Sequence, residues 1–222
     1  MTAATSVLPA PRVDWGRLFL VPLFALLLAV NVTALAGVAR GRQGAPAAMA
    51  LLTSALTAAF YLLLISAYLR RGRPAASSAS MPARLAAVAA TWLPMLVPFV
   101  GGYGDGSVGR DTVAGVLILA GLAWSVWSVK ALGSNLSVIA QVRGLASTGP
   151  YRWVRHPLYA GEIVTMLGTA IRSPHLGVVG LWVLLVLLQA YRAVVEEQLL
   201  THAKPGYADY CCGTARFLPG LF

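Results

Sequence analysis

The sequence contains few charged residues and almost no cysteine. Only 11% of its 222 residues are charged, whereas 58% are hydrophobic, and the two cysteines are the adjacent pair Cys211 and Cys212. Neighbouring residues in an ordinary backbone place their side chains poorly for a disulfide, so no disulfide framework is expected. The net charge is +10, but the basic residues lie between apolar runs rather than along one face. Nucleic acid is therefore not an expected partner.

The first 17 residues also lack the apolar core of a cleavable signal peptide, so we expect this segment to be retained. Apolar runs of bilayer-spanning length follow it and predict one all-α domain, a polytopic integral membrane helical bundle of about six transmembrane helices. Residues 1–131 carry four of these spans, and residues 132–222 form the predicted cofactor-binding and catalytic region. The predicted spans are residues 18–38, 47–69, 85–100, 112–131, 157–171 and 176–195.

The run at residues 157–171 is short for a crossing, about 22 Å at helical rise, and a re-entrant segment is the alternative. A tight helical hairpin through "RSPH" returns Glu196 and Glu197 to the face that carries "RWVRHP". We favour the hairpin because it keeps the polar groups together.

The basic residues predict the orientation of the chain. With the N-terminus in the cytoplasm, 12 basic residues lie inside and four outside, and the positive-inside rule favours this arrangement, with both termini cytoplasmic. Fifteen arginines against two lysines, with many alanines and glycines, are typical of a GC-rich bacterial gene, so the bacterial inner membrane is the expected location.

Three polar segments are predicted to converge at the cytoplasmic surface: "GSNLSVIAQVRGLASTGPYRWVRHPLY", "YRAVVEEQLL" and "GYADYCCGTARFLP". Arg192 and Glu196 are four residues apart and share a helical face. They are either functional or, alternatively, an arginine that extends to lipid phosphates beside solvated acids. His156 precedes a proline suited to the first turn of a helix, with Tyr159 one turn along. The alternative there is a capping histidine and an interfacial tyrosine.

The histidines do not predict a metal site. They have no ligand spacing and no nearby cysteine partner, so no metal is expected. The three are His156, His175 and His202.

The order of "GSNLSVIAQ", "LASTGPYRWVRHPLYAGE", "RAVVEEQLL" and "YADYCCGTARFLPG" resembles the isoprenylcysteine carboxyl methyltransferase family, with its bacterial and archaeal relatives and the phospholipid methyltransferases. The resemblance covers roughly residues 115 to 222. It implies an integral membrane enzyme that binds S-adenosyl-L-methionine in a cytosol-facing pocket. The methyl group would go to a lipophilic small-molecule or lipidated acceptor that enters from the membrane lipid.

The resemblance also implies residue roles. Arg192 would serve catalysis and bind the acceptor, and Glu196 would serve catalysis and bind the cofactor. Arg155 would be structural or adjacent to the cofactor. The implied cofactor-binding residues are Gln141, Arg143, Gly144, Leu145, Ala146, Tyr151, His156, Pro157, Leu158, Tyr159 and Glu196.

The acceptor and the oligomeric state stay open at this point. The acidic run "VVEEQ" is shorter than that of the eukaryotic carboxyl methyltransferases, so an isoprenylcysteine-type carboxylate, a related lipid and a thiol all stay possible. Two further alternatives are a membrane reductase with a similar C-terminal half that binds a nicotinamide cofactor, and a non-enzymatic small transporter or scaffold. The transporter would place its polar residues at mid-bilayer depth.

Overall fold

A computed structural model describes residues 7–8, 14–41, 45–72, 76–78, 80–100, 107–138, 141–142 and 145–218. The described part is a helical bundle, as the apolar runs predict. Its helices are α1 Trp15–Gly41, α2 Ala45–Arg70, α3 Met81–Trp92, α4 Val97–Val100, α5 Val108–Leu132, α6 Pro157–Arg172, α7 Leu176–Ala203 and α8 Tyr207–Cys212.

Each of the six predicted runs forms a helical segment, but the runs are not equal as candidate spans. Five segments within the described residues are long and apolar enough to cross a membrane: Gly16–Ala36, Ala48–Arg70, Met81–Val100, Val108–Asn135 and Leu176–Ala203. Helix α6 has only 16 residues, about 24 Å at helical rise, and is not among the five. The expected count of six spans is therefore supported for five.

The third span is the least regular. A 3₁₀ segment, Leu93–Leu96, joins α3 to α4. Pro94 and Pro98 lie in this stretch, and a proline removes a backbone donor and crowds the preceding turn of an α-helix. Pro94, Met95, Val97 and Pro98 line a large cavity, so the irregular part of this span forms part of its wall.

Helices α5 and α6 are held together at a close approach of glycines. A Cβ atom added to Gly161 would lie 2.9 Å from the carbonyl oxygen of Gly121, and one added to Gly168 would lie 2.8 Å from the carbonyl oxygen of Ala114. Only residues without a side chain allow backbones to come this close. This contact fixes the position of α6 along α5.

The last two long helices form the predicted hairpin. Toward the turn, the indole Nε1 of Trp182 on α7 donates to the carbonyl oxygen of Ile163 on α6 at 3.2 Å. At the other end, the imidazole Nε2 of His156 lies 3.2 Å from Oε1 of Glu197. The hairpin therefore returns the acidic pair of α7 to the start of α6, as the sequence predicts.

A small antiparallel sheet adds a feature that the all-α prediction did not include. Strand β1, Val7–Leu8, pairs with β2, Ala76–Ser78, and β2 pairs with β3, Gln141–Val142. The sheet therefore joins three parts of the chain: the segment before α1, the loop between α2 and α3, and the loop that follows α5. Such short strands carry no run of alternating residues long enough to be predicted.

Candidate active site

The start of α6 is fixed by backbone pairing with the C-terminal segment. The amide of Arg155 donates to the carbonyl oxygen of Ala215 at 2.8 Å, and the amide of His156 donates to that of Arg216 at 3.1 Å. Pro157 then occupies the first helical position, where its missing N–H costs nothing. The "RHP" and "ARF" motifs therefore meet because their backbones pair, which places the His156 side chain at the mouth of α6.

Glu197 is the centre of a network of cations. Its Oε1 accepts hydrogen bonds from Nε of Arg155 at 3.0 Å and Nε of Arg216 at 3.1 Å, and its Oε2 accepts from Nη2 of Arg216 at 2.7 Å. The hydrogen bond with Glu197 raises the pKa of Arg216. Arg155 also donates to the carbonyl oxygens of Cys211 and Thr214. Glu197 and Arg155 are thus committed to joining α7 to the C-terminal segment, so Arg155 has a structural part.

Glu196, the neighbouring acid, faces the cavity instead. The hydroxyl of Tyr159 donates a hydrogen bond to its Oε1. Its Oε2 lies 3.8 Å from Nδ1 of His156. The two adjacent acids therefore differ in their contacts. Glu197 pairs with cationic side chains of the protein, and Glu196 lies on the cavity, where its carboxylate can accept further hydrogen bonds.

Tyr159 lies between an imidazole and a guanidinium. Its ring stacks on the His156 ring at 5.4 Å between centroids and an interplanar angle of 11°. The guanidinium carbon of Arg192 lies 4.5 Å from the centre of the same ring, within the range of a cation–π contact. The three side chains predicted from the sequence therefore form one continuous stack.

Arg192 is buried, with 7% of its surface exposed, so it does not extend to lipid phosphates. Its Nη1 donates to Oε1 of Gln189 at 3.0 Å and its Nη2 donates to the carbonyl oxygen of Val138 at 2.9 Å. Its Nε has no hydrogen-bond partner within the described part of the chain. A buried donor left unsatisfied is costly, so this N–H is available to a ligand.

Glu162 lies on α6 close to this arginine. The side-chain Nε2 of Gln189 donates a hydrogen bond to Oε2 of Glu162. Gln189 is fully buried, and its amide thus connects Arg192 on one side to Glu162 on the other. Neither Glu162 nor Gln189 was predicted as a site residue from the sequence.

A cavity of about 580 Å³ connects these groups to the bilayer-spanning part of the bundle. Its polar end includes Tyr151, His156 and Glu196, and Arg192 and Glu162 also line it. Its apolar walls come from α1, α2, the 3₁₀–α4 segment, α5 and α6. Members of the apolar wall are Phe24, Leu27, Phe60, Leu64, Met95, Val97, Leu122 and Met166.

Two tyrosines near the C-terminal segment complete the polar end. The Tyr210 hydroxyl donates to the carbonyl oxygen of Tyr151 at 2.6 Å. Burial raises the pKa of Tyr210 to about 12, so its hydroxyl stays protonated at neutral pH. Both residues line the cavity, but only Tyr151 was predicted from the sequence.

Most of the cofactor-binding residues implied by the sequence lie on this cavity. Pro157 is buried behind the wall, Gln141 lies in β3, and Arg143 and Gly144 fall outside the described residues. The remaining implied residues line the cavity: Leu145, Ala146, Tyr151, His156, Leu158, Tyr159 and Glu196.

Within the described part of the chain, no group of three or more His, Cys, Asp or Glu side chains is placed to hold a metal ion. Cys211 and Cys212 are both free thiols.

Comparison with protein families identifies the region that builds this site. Residues 110–203 match the family described as phospholipid methyltransferase. The matched segment contains most of α5 and all of α6 and α7, and therefore carries His156, Glu162, Arg192 and Glu196.

The chain is also similar to two curated proteins over 79 residues. It is 35% identical to the cobalt-zinc-cadmium resistance protein CzcN of Cupriavidus metallidurans, with 35% of this chain and 36% of that protein covered. It is 34% identical to the nickel-cobalt-cadmium resistance protein NccN of Alcaligenes xylosoxydans xylosoxydans, with 35% and 37% covered. The chain thus matches about a third of the length of these relatives.

A solved structure shares the fold. The eukaryotic intramembrane Ras methyltransferase ICMT (isoprenylcysteine carboxyl methyltransferase) superposes with a TM-score of 0.55 at 16% sequence identity. The superposition covers 89% of this chain and 75% of that chain. The helical arrangement therefore resembles that of this solved structure, and the shared fold is the one that the motif order predicts.

Proposed function

We propose that this chain, whose residues 110–203 match the phospholipid methyltransferase family, is an integral membrane methyltransferase. It would take a methyl group from S-adenosyl-L-methionine and transfer it to a lipophilic acceptor. Neither the reductase nor the transporter alternative is favoured by the comparisons, which point to methyltransferases in both sequence family and fold.

One observation carries the proposal: a single cavity joins a polar end to an apolar wall. His156, Tyr159 and Glu196 lie on the same cavity as Phe24 and Met166. Methyl transfer needs donor and acceptor to be close and aligned, so positioning provides most of the catalysis. A site that receives a water-soluble donor at one end and a lipid acceptor at the other needs this combination of surfaces.

The polar end fits the chemistry of the donor. When bound, S-adenosyl-L-methionine supplies an electrophilic methyl group on a positively charged sulfonium. Glu196 has a carboxylate directed toward the cavity and can accept hydrogen bonds or face a positive charge. The Tyr159–His156 stack holds that carboxylate in place. The residues proposed to hold the donor are Gln141, Arg143, Gly144, Leu145, Ala146, Tyr151, His156, Pro157, Leu158, Tyr159 and Glu196.

The acceptor would lie against Arg192. This guanidinium is buried on the cavity wall, and its Nε donor has no partner among the residues that the structure describes. The apolar wall beyond it suits a hydrocarbon tail, since burying apolar surface is favourable at roughly 25 cal/mol per Å². Arg192 would therefore hold the reactive group of a lipophilic or lipidated molecule at the boundary between the two parts of the cavity.

We further infer that the polar end faces the cytoplasm of a bacterial inner membrane, with both termini on that side. The positive-inside count supports this orientation. Residues 1–131 would supply the tail-binding wall, and residues 132–222 the donor site. The apolar wall comes mainly from α1, α2, the 3₁₀–α4 segment and α5, with Met166 of α6, whereas Glu162, Arg192 and Glu196 come from α6 and α7. This distribution supports that division.

Calorimetry on the purified full chain in a neutral detergent tests the proposal. We expect binding of S-adenosyl-L-methionine and of S-adenosylhomocysteine, and no binding of NADPH. Saturable binding of NADPH with none of either sulfur compound would favour the reductase and overturn the proposal.

A further inference from the structure

Resting on the proposed function, we propose that Glu162 is a catalytic base and that the acceptor carries a proton on its attacking atom. The acceptor would then be an amine, thiol or hydroxyl of a lipophilic molecule and not a bare carboxylate. The proposal stands on the place of Glu162 between the polar end and the apolar wall of the cavity, where Gln189 bridges it to Arg192.

The first step of the argument is the fixed orientation of the carboxylate. Gln189 accepts a hydrogen bond from Nη1 of Arg192 at 3.0 Å and donates one to Oε2 of Glu162. Both hydrogen bonds together determine which way the amide points. Oε2 is thereby held, while Oε1 of Glu162 accepts no hydrogen bond from the residues that the structure describes.

The second step is the location of that free oxygen. Glu162 is partly accessible in the structure and lines the cavity, so it is not sealed in the protein interior. It lies just under two turns of α6 beyond His156, and Thr165 and Met166 continue the cavity wall further along the helix. A lipid whose tail lies on the apolar wall would bring its reactive group to this level.

The third step is electrostatic. A carboxylate acceptor drawn to Arg192 would also lie beside the carboxylate of Glu162, and like charges repel strongly where the surroundings are apolar. An acceptor with an N–H, S–H or O–H group can instead donate its hydrogen to Oε1. The cation and the acid on the same wall therefore favour a neutral, proton-bearing acceptor.

The reaction then balances without a further reagent. The attacking nitrogen, sulfur or oxygen forms a bond to the methyl carbon, and the bond between that carbon and the donor sulfur breaks with its electron pair going to sulfur. The proton of the attacking atom passes to Oε1 of Glu162. The products are the methylated acceptor, S-adenosylhomocysteine and a proton that leaves after turnover.

A binding experiment tests the charge argument without turnover. Calorimetric titration with dodecanol, which is neutral and carries an O–H, and with dodecanoate compares the wild-type chain, Glu162→Gln and the control Asp111→Asn, whose exposed carboxylate lies in the first turn of α5. We expect Glu162→Gln to weaken dodecanol binding about tenfold and not to weaken dodecanoate binding. Equal dodecanol affinity in all three proteins would overturn the proposal.

A transfer experiment tests the chemical step. The wild-type chain is given tritium-labelled S-adenosyl-L-methionine with dodecylamine, dodecanethiol, dodecanol or dodecanoate. We expect label in at least one of the first three, a loss of turnover of about a hundredfold or more in Glu162→Gln, and partial activity in Glu162→Asp. Label in dodecanoate alone, or in none of the proton-bearing probes, overturns the proposal.

The two proposals fail in different ways. Cofactor affinity measured on Glu162→Gln should equal that of the wild-type chain, because Glu162 is assigned to the acceptor. If the wild-type chain does not bind S-adenosyl-L-methionine at all, the proposed function fails. If binding is intact while Glu162→Gln turns over normally, only the assignment of Glu162 fails.

Discussion

Arg192 and Val138 are joined by a hydrogen bond of 2.9 Å from the guanidinium Nη2 to the backbone carbonyl oxygen. The amide of Val138 in turn donates to the hydroxyl of Tyr68 at 3.0 Å. Tyr68 belongs to α2, and the guanidinium carbon of Arg71 lies 3.9 Å from the centre of its ring. Tyr68, at the end of the second span, therefore holds Val138 in the loop after α5, and Val138 in turn holds Arg192.

This relationship predicts an effect of a substitution outside the matched family segment. Tyr68→Phe removes the acceptor of the Val138 amide and leaves a largely buried donor unsatisfied, which costs about 1–3 kcal/mol. We expect turnover to fall severalfold while the affinity for S-adenosyl-L-methionine is unchanged. Tyr191→Phe, at an exposed position on α7, is the control. Wild-type turnover in Tyr68→Phe would show that Val138 does not position Arg192.

Arg192→Lys tests the role of the guanidinium itself. A lysine keeps the positive charge but cannot hold Gln189 and Val138 with the same planar geometry. We expect cofactor affinity to survive and turnover to fall about tenfold, equivalent to one hydrogen bond to a charged group. The size of the defect also reports on the acceptor, because a carboxylate held by a fork would lose more. Arg172→Lys, at the exposed far end of α6, should behave as wild type. Full activity of Arg192→Ala would contradict the assignment.

Glu197→Gln should affect stability more than chemistry. The substitution removes the negative charge that faces Arg155, His156 and Arg216. Breaking a largely buried ion pair by removing one partner costs about 3–5 kcal/mol. We expect a lower unfolding temperature in detergent than for Asp209→Asn, a control at an exposed position on α8. Equal unfolding temperatures of Glu197→Gln and Asp209→Asn would mean that the Glu197 network contributes little to stability.

Asp14 predicts a pH dependence of stability. Burial raises its pKa, but hydrogen bonds from Arg71 and from the Arg17 amide outweigh burial and leave the pKa below the ordinary 3.8. A lowered folded-state pKa stabilises the fold above the unfolded value, and that stability is lost as the pH falls through the folded value. We therefore expect Asp14→Asn to unfold at a lower temperature than wild type at neutral pH, and the difference to shrink below pH 3.8. Asp111→Asn is the control. A difference in unfolding temperature between wild type and Asp14→Asn that stays constant across this pH range would contradict a stabilising ion pair at Asp14.

The sequence predicted the parts of the site that depend on spacing along one helix or on the order of motifs. Arg192 and Glu196 are four residues apart and both line the cavity, because the helical period fixes their shared face. The return of α7 to His156 also followed from the short polar turn between two apolar runs. These relationships are encoded locally.

The contacts between helices could not be predicted in the same way. Glu162 meets Gln189 only because α5 and α6 pack at Gly121 and Gly161, which fixes how α6 faces α7. The rotation of α7 determines that Glu197 pairs with cations of the protein and that Glu196 faces the cavity. Spacing alone does not distinguish these two adjacent acids. The length of α6 could be predicted from the sequence. Whether α6 crosses the membrane depends on the helices that pack around it.

The donor site is tested most directly by calorimetric titration of S-adenosyl-L-methionine into the purified chain, Glu196→Ala and His156→Ala, with Asp209→Asn as control. Each site variant removes a polar contact of about 1.5–3 kcal/mol, so we predict affinities roughly tenfold to a hundredfold weaker than wild type and an unchanged control. Affinities equal to wild type in both site variants would contradict the claim that this cavity holds the methyl donor.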